Sequence, residues 1–64
     1  MMTKNLFKMM EDELKGADKY QKYAESFREM GYPKDISLIF EKIAEMEMKH
    51  ALWLKKIYEY LGGT

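Results

Sequence analysis

Cysteine is absent from the 64 residues. Its absence removes disulfides, thiolate metal sites, cysteine-held iron–sulfur centres and a cysteine nucleophile. Proline occurs once and histidine once, so the chain has little punctuation and a single imidazole. No sign of charge dominates either: 11 basic and 11 acidic residues cancel, and they are interleaved, which leaves no basic face for nucleic acid. No apolar run is long enough to span a bilayer, and the opening "MMTKNLFKMMEDE" lacks the apolar stretch of a signal peptide. The cytoplasm is therefore the expected compartment. One small domain, residues 1–64, is expected, and a single core of this size is marginal without staples or association.

What the chain does have is helical periodicity. Its clearest break is "MGYP" at residues 30–33, where Gly31 suits the left-handed position after a helix and Pro33 suits the first turn of the next. Before the break, Leu6, Met10, Leu14, Ala17, Ala24 and Phe27 recur at steps of three, four or seven, predicting a helix over about residues 4–30. After it, Ile36, Ile39, Ile43, Glu47, His50, Leu54, Ile57 and Leu61 follow at steps of three or four, predicting a helix over about 34–61 that Gly62 and Gly63 end. Nothing alternates with period two, so the expected fold is all-α: an antiparallel hairpin of two helices. Phe7, Leu38, Phe40, Trp53 and Tyr58 lie beside the seams and would stay wet in a monomer. Two hairpins closing into a four-helix bundle would cover them, which predicts a homodimer or a higher even-numbered homo-oligomer.

Two polar residues interrupt the second stripe. An unpaired carboxylate at an interior position costs several kcal/mol, so Glu47 and His50 need partners. One turn apart on one face, they can meet on a divalent cation. Glu13, flanked by Met10, Leu14 and Ala17, points the same way from the first helix. Counted from Tyr32 at about 1.5 Å per residue, Glu13, His50 and Glu47 lie at depths of roughly 28, 27 and 22 Å, about one level of an antiparallel pair. A hairpin then offers two carboxylates and one imidazole, and a two-fold dimer offers four and two. With eight Glu in the chain, a Glu three residues before the one His does not by itself separate a metal pair from a structural Glu–His pair. The shared register of all three residues is the stronger signal.

That sum is the ligand set of carboxylate-bridged di-iron bundles, and the chain resembles the ferritin-like superfamily, rubrerythrins above all. The resemblance runs through "ELKGADKYQKYAE", "GYPKDISLIFEKIAEMEMKHA" and the motif "EMKH". It implies Glu13, Glu47 and His50 as metal ligands, with Tyr20, seven after Glu13, beside the metal-binding glutamate. It further implies two irons per dimeric site, oxidation of Fe(II) or reduction of peroxide in iron handling or oxidative defence, and an external electron donor. The ligand types would also accept Mn or Zn. Rubrerythrins and ferritins carry four bundle helices in one chain and this sequence carries two, so it is similar in plan to the two-helix encapsulated ferritins. "YLGGT" offers no convincing encapsulin-targeting tail, and there are no cysteines for a rubredoxin domain. The competing reading is a non-enzymatic oligomerisation module clamped by a structural metal.

Other residues have plainer readings. Tyr20 is either core with a satisfied hydroxyl or a hydrogen-bond partner of a ligand carboxylate. Gly16 costs about 1 kcal/mol relative to Ala inside a helix, and either permits close helix approach beside the site or is a tolerated cost. Met46, Met48 and Trp53 read as interface packing. Glu11, Glu41 and Glu45 read as solvent-facing, with Glu11–Lys15 and Glu45–Lys49 as i,i+4 pairs.

Overall fold

The computed structural model describes residues 2–62 and contains two α-helices, α1 (Met2–Glu29) and α2 (Lys34–Tyr60), with no strand among the described residues. The turn between them is a Schellman motif built by Gly31 at φ +80°. Its amide donates to the carbonyl of Arg28 (3.1 Å), and the amide of Tyr32 donates to that of Phe27 (3.2 Å). The apolar contact that accompanies such a cap is the Tyr32 ring set edge-on against Phe27, centroids 5.2 Å apart. Pro33 sits just ahead of α2 with its φ at −52°, and Asp35 places a negative charge in the first turn, where the helix dipole favours it. Beyond Tyr60, the last residue of α2, Gly62 takes φ +76° and its amide donates to the carbonyl of Glu59 (3.0 Å). Gly63, the other expected stop, lies outside the described residues.

The helices lie side by side in a rod 47 Å long and about 14 Å across. Their seam differs from the one the large apolar residues suggest. The buried positions are Leu6, Ala17 and Ala24 on α1 and Ser37, Ala44 and Ala51 on α2. On α2 these recur every seven residues, and their small size lets the backbones approach. Ser37, the largest side chain buried almost completely, satisfies its hydroxyl on the carbonyl of Lys34 at 2.9 Å. Ile39, Ile57 and Leu61, expected in the seam, are about half or more exposed, between 47% and 60%, and Leu14 is 51% exposed. Conversely, Phe40 and Tyr58 are partly buried rather than wet. Phe40 stacks between Phe27 (5.2 Å) and Tyr20 (6.2 Å), and Tyr58 meets Phe7 at 6.4 Å.

The physical reason is the heptad geometry of α2, which carries three adjacent columns instead of one stripe. Ser37, Ala44 and Ala51 face α1. Phe40, Glu47 and Leu54 flank them, and Ile36, Ile43, His50 and Ile57 turn to one open side of the rod. Polar contacts add little to the pairing: Arg28 to Glu41 is the one side-chain ion pair between helices near the turn, and both partners are half exposed. Glu45–Lys49 forms at 3.7 Å, whereas the i,i+4 pairs on α1 are Lys8–Asp12 and Asp18–Lys22 rather than Glu11–Lys15. No described helix is long and apolar enough to cross a membrane.

Candidate metal centre

Halfway along the rod, Glu13 of α1 and Glu47 and His50 of α2 converge on the open side. One ligand atom from each lies within 4.8 Å of the other two. Two donors on one cation at about 2.2 Å stand no more than about 4.4 Å apart, so a contraction of a few tenths of an ångström would close the set. The Nδ1 of His50 is 3.6 Å from Oε2 of Glu13, with the two side chains 42% and 27% exposed. The group is thus sheltered by the hairpin on one side and open on the other. Trp53 leans on the His50 ring, centroids 5.5 Å apart.

Electrostatics mark the group as incomplete. Oε2 of Glu13 is buried with no hydrogen-bond donor fixed on it, a costly state for a carboxylate oxygen. Without a cation, a proton shared with the neighbouring Glu47 carboxyl is one way to relieve it, and the His50 ring nitrogen 3.6 Å away is another possible donor. Accordingly the Glu47 carboxyl is pushed above its ordinary 4.5, first by hydrogen bonding to Glu13, then by burial and by the Glu13 charge, with His50 pulling the other way. Two carboxylates and a ring nitrogen aimed at one point, one oxygen of them unsatisfied, suit a divalent cation of hard or borderline character.

Residues 4–64 match the rubrerythrin family. The chain belongs to that family. No curated protein and no solved structure matches it. Proteins of the rubrerythrin family generally bind iron, and the Glu13–Glu47–His50 group brings together carboxylate and imidazole side chains that could hold a metal ion.

Tyr20, expected beside the metal-binding glutamate, packs among aromatic rings. Its ring packs on Phe40 and edge-on to Tyr23, and no hydrogen bond joins its hydroxyl to Glu13 or Glu47 among those the structure shows. The aromatic cluster of Tyr20, Tyr23, Phe27, Tyr32 and Phe40 between site and turn went unread in the sequence, because its members are spread over both helices and meet only once the turn sets their register.

Proposed function

We propose that each hairpin is half of a di-iron carboxylate centre, that a second copy completes it, and that the assembled protein oxidises Fe(II) or reduces peroxide. The observation that carries this reading is the convergence of Glu13, Glu47 and His50 at one level of a rubrerythrin-family hairpin. One copy brings two carboxylates and one imidazole; two copies would bring four and two to a pair of ions, the donor set of di-iron carboxylate bundles.

The open side supports the pairing. The chain exposes 5204 Å², against roughly 4,300 Å² for a compact monomer of its mass. The excess is close to what one partner contributes to an interface of standard size, about 800 Å². Met9, Tyr23, Met30, Ile39 and Ile57 are all more than two-fifths exposed on the side that carries the site.

A bound iron pair supplies the redox chemistry, one electron from each Fe(II) reducing peroxide, with two protons, to water. The chain's residues set the conditions for it. Glu13 and Glu47 supply the negative charge that favours the higher oxidation state, and His50 ligates through Nδ1 only with its proton on Nε2. The Glu47 carboxyl, whose hold on a proton is strengthened by Glu13 and by burial in the metal-free protein, must be ionised to ligate, so metal competes with that proton. The apolar flanks exclude bulk water once covered.

The test is oxidation of added Fe(II) by oxygen or peroxide under stopped flow, with Glu47→Ala and His50→Ala as controls. Oxidation faster than that of protein-free iron, abolished in both variants, is the expected result. Tightly bound iron with no acceleration would leave a structural clamp instead.

A dependence on pH follows from the same groups. Because the Glu47 carboxyl is raised above 4.5 in the folded metal-free chain, the folded chain binds more of its proton than the unfolded chain between 4.5 and the raised value. Its contribution is fully present below about 4.5 and disappears as pH rises through the raised value. The iron-loaded protein has the opposite sign, since protons compete with metal at every ligand, and it should lose metal as pH falls through about 6 toward 4. Melting temperatures of the two forms should therefore converge at acid pH and separate toward pH 7. Identical melting at pH 7 would show that the metal adds nothing to stability.

A further inference from the structure

We propose that Gly16 is a positioning residue for Glu47: the missing side chain at position 16 is the seat in which the Glu47 carboxylate lies. The inference rests on Glu47 being a metal ligand. Gly31 and Gly62 take positive φ angles that favour glycine; Gly16, inside α1, does not. Backbone conformation therefore gives no reason for glycine there, and space does. A Cβ at position 16 would stand 2.7 Å from Oε2 of Glu47, closer than such atoms approach, and 3.3 Å from its Cδ, tighter than ordinary contact. The nearest atoms it would meet all belong to Glu47. Position 16 follows Glu13 by one turn, so the carboxylate crosses from α2 onto bare α1 backbone beside the other acid. Any larger residue would turn Glu47, whose side chain is flexible and not fully buried, away from Glu13 and His50 while leaving the helices in place. α1 thus accepts a poor helix former in exchange for a placed ligand.

Two measurements on the full chain test this. In equilibrium dialysis against anaerobic Fe(II), Gly16→Ala should bind about tenfold more weakly or worse, while the metal-free variant melts no lower than the parent. Retention of affinity within about twofold would overturn the proposal. The second measurement needs no metal. In a Glu47→Ala background, Gly16→Ala should raise the melting temperature by about 4 °C or more, the gain expected of a helix-favouring substitution in so small a protein. In the parent background the gain should be smaller, since Glu47 must first be displaced. Equal gains, or a lowered melting temperature without Glu47, would show that the glycine serves something other than the carboxylate. If the parent takes up no Fe(II), the metal reading falls, and the metal-free comparison still decides whether Gly16 seats Glu47.

Discussion

Glu47→Ala protein purified from iron-supplemented cells should contain almost no iron, its affinity lowered by about 100-fold or more. Loss of a group that merely orients a ligand already costs about 10- to 100-fold, and Glu47 would be a ligand itself. Glu13→Ala and His50→Ala should behave alike, because each removes one of the three donors that converge. Glu45→Ala is the control: its side chain is 55% exposed and paired with Lys49, so its iron content should stay near the parent's. Misfolding is a poor explanation for the loss, since Glu47 is the crowded acid whose carboxyl is held above its ordinary range by Glu13. Removing it relieves the metal-free hairpin, so the variant should melt no lower than the metal-free parent. Metal analysis with melting on the same preparations reads both effects. Parental iron content in Glu47→Ala would remove Glu47 from the site.

If two hairpins pair as proposed, the parent is a dimer at twice the 7.7 kDa chain mass, and Ile57→Glu should be a monomer whose iron content falls although Ile57 is none of the three ligands. Ile57 follows His50 by seven residues and so shares its side of α2, and it is 47% exposed in the single hairpin. The substitution therefore harms the hairpin little. In an isologous interface each copy brings one new carboxylate, and burying each unpaired costs several kcal/mol. At 1.4 kcal/mol per tenfold, dissociation should strengthen by about three orders of magnitude or more. Leu52→Glu makes the discriminating comparison, because Leu52 is 64% exposed on the opposite side, in a groove with Met10, Leu14 and Met48. Light scattering at micromolar concentration should find that variant still dimeric. Dimeric Ile57→Glu with full iron would rule out pairing through the face that carries the site.

Much of the site was legible in the sequence because it depends on counting. Depth from the turn needs only the helical rise, and it placed Glu13 level with Glu47 and His50, which the structure brings together. Two helices about a Gly31 turn were legible for a similar reason, since a left-handed glycine followed by proline has few other uses. The contact seam was harder to read. Hydrophobic spacing finds large residues, whereas this hairpin closes on Ser37, Ala44 and Ala51, which are small and, for Ser37, polar. With three neighbouring columns all able to bury, period alone does not say which one faces the partner helix. Spacing alone sends Ile39, Ile57 and Leu61 inward, and they lie open. Tyr20 shows the same limit: it lies seven residues, about 10 Å, along the same face of α1 as Glu13, and the packing of its ring on Phe40 is a contact that spacing alone does not reveal.

Glu47 stands at the midpoint of α2 and Glu13 near that of α1. A 47 Å rod with its donors at the centre can be laid on its own copy by a half-turn through that centre with both tips flush. Were the donors near one tip, the same half-turn would leave long overhangs of bare helix. Placed at the fulcrum, the chemistry is insulated from the tips: trimming or extending either end changes how firmly two rods grip without shifting one donor atom.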